Sequence, residues 1–301
     1  MSLLVTGSIG IDTVRTPFGV SKDCLGGSAV YFSMAASFFA PVRLVGVVGS
    51  DCPFDFSQVF QGREVDLQGL QKRPESKTFR WKGSYQDKMD EAVTEGLELN
   101  VLSESPPEVP PQYRDSEFLF LANTAPSLQM QLLEQVESSA FVAADTMNCW
   151  IANERDGLTA LLGKIDMLII NENEARMLAG DSNLVTSAKG IIEMGPSIVV
   201  IKKGESGSIV LNKQGDMFIL PAYPASVVKD PTGAGDSFAG GLLGYLAKSG
   251  RSDFGSVKKA VVYGTVVASY TISDFSLNGL GDITMDGIER KVEELRKMTE
   301  F

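Results

Sequence analysis

Residues 230–241 read DPTGAGDSFAGG, and this stretch is the strongest indication of the fold in the sequence. It follows residues 226–228, which are predicted as a strand, and it opens a helical run over 237–247. Three small residues, Gly233, Ala234 and Gly235, leave the backbone unobstructed where successive N–H groups meet the start of that helix. A turn of this kind is a ready site for an anion.

Asp236 follows these small residues in the first turn of the predicted helix. The helix dipole favours an ionised carboxylate at that position, which keeps it available as a proton acceptor near neutral pH. We call the anion site at Gly233, Ala234 and Gly235 the anion cradle. A carboxylate base beside it suits the transfer of a phosphoryl group to a hydroxyl. Glycine-rich turns also start helices that bind nothing, so the motif needs support from the rest of the chain.

Outward from this motif, apolar strands alternate with helices along the chain. Strands are predicted at 3–9, 42–48, 117–122, 140–145, 165–170 and 197–202. Helices are predicted at 26–39, 126–138, 153–163 and 172–180, and a hairpin over 208–220 turns at 213–215. Continuous apolar strands joined by helices predict an α/β fold with a central, mostly parallel sheet flanked by helices. Ligands of such a sheet gather at the carboxyl ends of its strands.

Residues 78–102 depart from this alternation. Two stretches of alternating polarity, separated by a charged segment, predict two antiparallel strands that project from the core. They form either a lid over the site or a surface hairpin. Residues 1–301 are accordingly predicted as a single domain with an inserted β lid at about 78–102, and 11–20 are a candidate addition to that lid.

Composition excludes several classes of function. With 38 acidic and 27 basic side chains among 301 residues, the net charge of −11 disfavours general binding to nucleic acid or to anionic membranes. No histidine is present, which removes Ser-His and Cys-His catalysis and histidine-ligated metal sites. Three distant cysteines form no metal or disulfide pattern and fit a cytoplasmic protein. The longest nearly apolar run, 260–272, is shorter than the ~20 residues that a membrane helix needs.

The stretch 230–241 resembles the C-terminal signature of the ribokinase family of carbohydrate kinases, also called the PfkB family, at every defined position. Four further segments resemble family motifs, in the family's order and across nearly the whole chain: GSIGID at 7–12, LGGSAVYFS at 25–33, NENE at 171–174 and KKGESGS at 202–208. A Walker A pattern does not occur in the sequence, which argues against the P-loop type of phosphoryl transfer.

The resemblance implies a ribokinase-like fold and the use of magnesium ATP to phosphorylate a hydroxyl of a sugar or sugar-like acceptor. It implies that Asp236 is the base and that Gly233, Ala234 and Gly235 form the anion hole. Residues expected to face the acceptor are Asp12, Gly26, Gly27 and Tyr31. Residues expected along the nucleotide are Asn171, Lys203, Gly204, Gly207 and Thr232. Glu174 is expected to hold Mg²⁺ through water, and Asp230 is a candidate for a monovalent cation such as K⁺.

Two local features allow more than one interpretation. Asn171 and Glu174 follow a strand at the ligand-binding edge, and the same pair has the spacing of a helix capping box. Tyr31 occupies a position where many family members have an Asn that binds a sugar hydroxyl. Its side chain either lines the acceptor pocket or packs in the core. Trp81 and Tyr85, on the predicted lid, likewise either meet a substrate ring or pack.

The leading hypothesis is therefore a cytoplasmic sugar kinase whose partners are ATP and a small-molecule acceptor, with no nucleic acid and no membrane. The alternative is an adenosine-like nucleoside kinase of the same fold, because aromatic side chains could stack on a base. A third hypothesis, a non-catalytic regulator, is disfavoured because the chain retains Asp236 beside its cradle. Monomer and homodimer both remain open.

Overall fold

The computed structural model describes residues 1–86, 89–137 and 141–300. Residues 87, 88, 138–140 and 301 lie outside the described residues. They include two positions of the predicted lid, the last residue of the helix predicted over 126–138 and the first residue of the strand predicted over 140–145.

Within the described residues, a nine-stranded sheet forms the centre of the molecule. Its strands in spatial order are β13 (Met217–Leu220), β12 (Ser208–Asn212), β11 (Ile198–Lys202), β10 (Met167–Asn171), β9 (Phe141–Asp145), β8 (Phe118–Leu121), β1 (Leu3–Thr6), β4 (Val42–Gly49) and β5 (Val65–Arg73). All neighbours from β11 to β5 pair in parallel, whereas β12 pairs antiparallel with β11 and with β13. The mostly parallel sheet and the hairpin over 208–220 are thus confirmed.

Helices cover both faces of this sheet because successive strand residues point to opposite sides. Phe120 and Ile169 belong to one apolar cluster, and their neighbours Leu119 and Leu168 belong to the other. The first cluster contains residues of α1 (Ser28–Ala36), α2 (Phe56–Val59), α8 (Ala234–Ser249), α9 (Phe254–Thr271), α10 (Asn278–Gly281) and α11 (Met285–Thr299). The second contains residues of α3 (Pro126–Leu133), α4 (Asn148–Asn153), α5 (Arg155–Leu162), α6 (Glu172–Ala179) and α7 (Leu184–Glu193).

A close approach between two helices sets the position of α8, which carries the signature motif. A Cβ added at Gly240 would lie 2.5 Å from the carbonyl oxygen of Phe32 in α1. Glycine therefore lets the backbones of α1 and α8 touch, and the two helices hold their N-terminal ends at the same edge of the sheet.

A second, four-stranded sheet is built from β3 (Gly19–Gly26), β2 (Gly10–Thr16), β6 (Phe79–Tyr85) and β7 (Ala92–Glu98), in that order. The β2–β3 and β6–β7 pairs are antiparallel, whereas β2 and β6 are parallel. The two strands predicted within 78–102 thus occur as β6 and β7, and the candidate addition 11–20 falls on β2 and the start of β3.

Three predictions of local structure were wrong. Residues 226–228 form no strand: this segment lies between Pro224 and Pro231, which lack a backbone donor, and the N–H of Lys229 bonds to the carbonyl of Ile272. The strand predicted over 3–9 ends at Thr6, and a new strand begins at Gly10. The helix predicted over 126–138 ends at Leu133.

Membrane-crossing helices are absent from the described part of the chain, where no helix has both the length and the apolar character that a crossing needs.

Candidate active site

The signature motif forms the turn that leads into α8. Gly233 adopts a left-handed conformation (φ +75°) as the N-cap residue, and the helix begins at Ala234. The preceding turn is held by the N–H of Thr232, which donates to Oδ1 of Asp230 at 2.9 Å. The helix therefore starts three residues before the predicted run over 237–247. Gly235 and Asp236 consequently lie in its first turn, where backbone N–H groups have no partner within the helix.

The ring of Tyr31 packs against the backbone of this turn. Tyr31 lies in α1 and is only 2% exposed. A Cβ added at Gly233 would lie 2.4 Å from two atoms of the Tyr31 ring, so the ring covers the glycine closely. Burial and the nearby carboxylates, Asp12 first among them, raise the pKa of Tyr31 well above its usual value. Of the two interpretations of Tyr31, the structure thus favours packing, and the ring packs on the turn that the sequence predicts to be the anion site.

A lysine that the sequence interpretation passed over lies beside the cradle. Lys202 is the last residue of β11, and a Cβ added at Gly235 would lie 2.7 Å from its Nζ. The predicted Lys203 follows it and precedes the 3-10 turn Gly204–Ser206, where the N–H of Lys203 donates to the carbonyl of Gly207 at 2.7 Å. Lys202 is the first residue of the segment 202–208 that resembles a family motif, so the sequence contained a signal for this residue.

The charge of this ammonium group acts on the pKa values of three carboxyl groups. Burial raises the pKa of Asp236, and the positive charge of Lys202 opposes that rise. Asp145, the last residue of β9, is 6% exposed, and its Oδ1 has no hydrogen-bond partner among the described residues. Burial and then the charge of Asp236 raise the pKa of Asp145 well above its usual value. Burial likewise raises the pKa of Glu174, against the effect of Lys202.

The pair formed by Asn171 and Glu174 is a capping box. Oδ1 of Asn171 accepts from the N–H of Glu174 at 2.9 Å, and Oε2 of Glu174 accepts from the N–H of Asn171 at 2.8 Å. This arrangement starts α6 and fixes the Glu174 carboxylate at the carboxyl end of β10. The capping interpretation is thus confirmed, and it is compatible with a ligand-binding role.

Asp12 lies beside the Gly-Gly motif on the small sheet. It is a residue of β2. A Cβ added at Gly26 would lie 1.8 Å from Oδ2 of Asp12, and Gly27 (φ +103°) is the N-cap residue of α1. Oδ1 of Asp12 is buried without a partner in the described chain. Burial, reinforced by Asp230 and Asp236, raises the pKa of Asp12 to about 7.

The small sheet reaches the signature motif through Tyr85, at the end of β6. The hydroxyl of Thr232 donates to the hydroxyl of Tyr85 at 3.3 Å. Trp81 behaves differently: its indole N–H donates to Oγ1 of Thr94 at 3.2 Å, and its ring lies against Gly83. Trp81 therefore packs within the small sheet, whereas Tyr85 lies at the site.

The donor chemistry of the site fits a magnesium ion. Asp145 and Glu174 supply carboxylate oxygens, which Mg²⁺ prefers. In residues 1–86, 89–137 and 141–300, no three acidic or cysteine side chains are arranged to hold a metal by themselves. Mg²⁺ is usually bound by one or two carboxylates together with substrate phosphates. Asp230 also keeps a buried oxygen, Oδ2, without a partner among the residues described, which fits a cation there.

The chain is similar in sequence and in fold to known kinases. Residues 12–280 match the family model described as pfkB family carbohydrate kinase. The chain is 31% identical over 251 residues to a cytidine kinase of Thermococcus kodakarensis, which covers 81% of this chain and 87% of that protein. A Burkholderia thailandensis nucleoside kinase in complex with inosine shares the fold with a TM-score of 0.78 and 17% identity, over 97% of this chain and 98% of the other. A proposed ribokinase II of E. coli in complex with ATP and Mg²⁺ also shares the fold, with a TM-score of 0.76 and 17% identity. The similarity covers 97% of this chain and 99% of the other.

Proposed function

The chain belongs to the pfkB family of carbohydrate kinases, and from this premise we propose that Asp236 is the base for phosphoryl transfer from ATP to a hydroxyl of a sugar-like acceptor. The enzyme is a phosphotransferase with an alcohol group as acceptor. The observation that carries the proposal for Asp236 is its place in the first turn of α8, directly after the glycine-rich turn that begins with the N-cap residue Gly233.

The reaction moves one phosphoryl group and one proton. The acceptor oxygen attacks the γ-phosphorus of ATP and forms the new O–P bond, while the bond from that phosphorus to the β–γ bridging oxygen breaks and ADP leaves. Asp236 takes the proton of the acceptor hydroxyl. Because burial raises the pKa of Asp236, its proton affinity lies closer to what proton transfer near neutral pH requires. The N–H groups at the start of α8 stabilise the negative charge of the transferred group.

Residues on the nucleotide side have supporting roles. Asn171, through the capping box, and Glu174, with Asp145, would hold Mg²⁺ and its waters near the phosphates. Bound there, the ion would neutralise phosphate charge. The residues proposed to border the nucleotide are Lys203, Gly204, Gly207 and Thr232. Asp230, with its unpartnered oxygen, is the proposed ligand of a monovalent cation such as K⁺.

Asp12 is proposed to contact hydroxyls of the acceptor. Its carboxylate lies next to Gly26, and neither Gly26 nor Gly27 has a side chain. Its buried, unpartnered oxygen can accept a hydrogen bond from a sugar hydroxyl. A nucleoside is the second candidate acceptor, supported by the similarity to the cytidine kinase. The aromatic argument for a nucleoside is weaker than the sequence suggested, because Tyr31 and Trp81 both pack against protein.

We propose that residues 1–301 act as one domain in which the small sheet is a lid, since the Thr232–Tyr85 hydrogen bond joins the sheet to the signature motif. A cytoplasmic location fits an enzyme that consumes ATP. The expected partners are ATP and the acceptor, in either a monomer or a homodimer.

An acceptor panel tests the proposal. ADP formation is measured with free sugars, sugar phosphates and nucleosides, and the phosphorylated product is identified by mass spectrometry. The Asp236→Asn variant, purified in parallel, measures the background from contaminating kinases. We expect ADP formation to depend on one class of acceptor and on Asp236. ADP formation without any phosphorylated acceptor, at equal rates in both proteins, would refute the proposal.

A further inference from the structure

Gln129 of α3 joins the carboxyl ends of two strands of the central sheet. Its side chain is fully buried. The side-chain Nε2 donates to the carbonyl oxygens of Leu121 at 2.8 Å, Ala122 at 3.3 Å and Asp145 at 3.1 Å. Leu121 ends β8 and Asp145 ends β9, so one amide group bonds to both strand ends.

This amide lies where the backbone ladder between the two strands ends. β8 and β9 pair in parallel, and the last pair of the ladder is Leu121 with Ala144. The carbonyl groups of Ala122 and Asp145 come after this pair. Because a buried carbonyl group needs a hydrogen-bond donor, Gln129 supplies what the ladder no longer provides. It does so at the edge of the sheet where ligands bind.

The donors of Gln129, rather than its oxygen, account for a polar side chain at this position. Its Oε1 is buried without a hydrogen-bond partner among the residues described. An unpaired buried oxygen is unfavourable, and Leu132, one turn further along α3, fills the same core with an apolar side chain. The hydrogen bonds from Nε2 must therefore offset the cost of the unpaired oxygen.

Asp145 depends on its backbone for its position in the site. Glu174 is fixed by the reciprocal hydrogen bonds of its capping box with Asn171. Oδ1 of Asp145, by contrast, is buried without a partner in the described part of the chain. The direction of this carboxylate therefore follows from the backbone that carries it. That backbone pairs with Ile169 of β10, and its carbonyl oxygen accepts the bond from Gln129.

We propose that Gln129 is a positioning residue, which holds the end of β9 so that the Asp145 carboxylate faces the magnesium ion that accompanies the nucleotide phosphates. This inference rests on the proposed function, in which Asp145 and Glu174 hold that ion. Residues that orient a metal ligand typically contribute a factor of about 10 to 100 to metal affinity. Loss of the Gln129 bonds should therefore weaken the effect of Mg²⁺ on nucleotide binding by ~10-fold.

Three single variants test this role. Gln129→Met removes the amide and keeps most of the side-chain length. Asp145→Asn removes the charge that Gln129 is proposed to position. Gln135→Met is the matched control, because the amide of Gln135 also bonds to backbone, at Val109 and Pro107 in the proline-rich segment before β8.

The measured quantity is the Mg²⁺ effect on ADP binding. We define it as the Kd for ADP in EDTA divided by the Kd at saturating Mg²⁺, both from calorimetry. It requires neither an acceptor nor turnover. The double variant Gln129→Met/Asp145→Asn completes a mutant cycle, and melting temperatures monitor folding.

We expect Gln129→Met to lower the Mg²⁺ effect ~10-fold and to leave ADP binding in EDTA unchanged. Asp145→Asn should lower the Mg²⁺ effect at least as much. The double variant should match Asp145→Asn, because a positioning residue acts only through the group that it positions. Gln135→Met should keep the wild-type Mg²⁺ effect, even where its melting temperature falls as far as that of Gln129→Met.

Several results would overturn the inference. An unchanged Mg²⁺ effect in Gln129→Met or in Asp145→Asn would do so, as would additive losses in the double variant or an equal loss in Gln135→Met. Should Gln129→Met fail to fold, Gln129→Asn replaces it. The shorter amide of that variant cannot reach the same carbonyl groups, so a wild-type Mg²⁺ effect there would also count against the inference.

The same measurements separate the inference from the proposed function. If the wild type phosphorylates no acceptor but the mutant cycle behaves as expected, the proposed function fails and the role of Gln129 stands. If the wild type phosphorylates an acceptor and Gln129→Met keeps the full Mg²⁺ effect, the proposed function stands and the role of Gln129 fails.

Discussion

Replacing Asp12 by Asn should reduce the loss of stability that the ligand-free protein suffers as pH rises. The Asp12 carboxyl is only 4% exposed, has one unpartnered oxygen, and feels the charges of Asp230 and Asp236. These effects raise its pKa in the folded protein from an ordinary value of 3.8 to about 7. Between those two values the folded protein holds a proton that the unfolded chain has released. The contribution of Asp12 to stability therefore falls as pH rises through this window and is constant above it.

The size of the effect follows from the width of the window. Each unit of pKa difference corresponds to about 1.4 kcal/mol, so the whole window corresponds to about 4 kcal/mol. Only part of it, roughly two units, lies above pH 5. From about pH 5 to about pH 8, ionisation of Asp12 should therefore lower the free energy of unfolding by about 2–3 kcal/mol. Asn at this position does not ionise, so the variant should lack this contribution.

Urea unfolding at about pH 5 and about pH 8 measures the difference. The wild type should lose about 2–3 kcal/mol more than Asp12→Asn between the two conditions. Any constant cost of the amide cancels, because only the change with pH is compared. Asp282→Asn, at an exposed position after α10, controls for the loss of one charge and should follow the wild type. Equal pH dependence in the wild type and Asp12→Asn would refute this account of the buried carboxyl.

Three further outcomes are expected. Tyr31→Ala removes the ring that packs on Gly233, so it should cost ~3–5 kcal/mol in urea unfolding and also lower the turnover of the folded fraction, whereas a higher acceptor KM alone would place Tyr31 in the pocket. Gly235→Val should impair ATP affinity more than stability, because its Cβ would lie 2.7 Å from the neighbouring ammonium group; intact affinity with a lower melting temperature would assign the glycine to packing. Saturating acceptor should slow hydrogen exchange in β6 and β7, and Tyr85→Phe, which loses the bond from Thr232, should weaken that protection; equal exchange with and without acceptor would make the sheet a surface hairpin.

Sequence patterns predicted the central strands because burial on both faces leaves a continuous apolar run. β10 and β11 are examples, since nearly every residue in each is buried. The same signal missed β5, which lies at the edge of the sheet and has mostly half-buried, polar residues. The segment 226–228 contains β-branched valines, which favour a strand, but it lies between two prolines. Its strand propensity therefore did not determine its conformation.

The candidate site was predictable where its residues are contiguous. Gly233 to Asp236 could be recognised from one turn, and the capping box of Asn171 and Glu174 from its spacing. The packing of Tyr31 on Gly233 joins residues about 200 positions apart, and no local pattern encodes it. The place of Asp145 at the site could also have been predicted from the sequence. Asp145 ends an apolar strand at the ligand-binding edge, and the same criterion selected Asn171.

The most direct test of the central claim, that Asp236 takes the proton of the acceptor hydroxyl, is a single-turnover measurement. Wild type and Asp236→Asn are mixed with limiting ATP, Mg²⁺ and the acceptor found by the panel, and phosphorylated product is quantified by rapid quenching. The account predicts a transfer rate ~10²- to 10⁴-fold lower in the variant, with an unchanged melting temperature and unchanged ADP affinity. An equal transfer rate in the two proteins would contradict it.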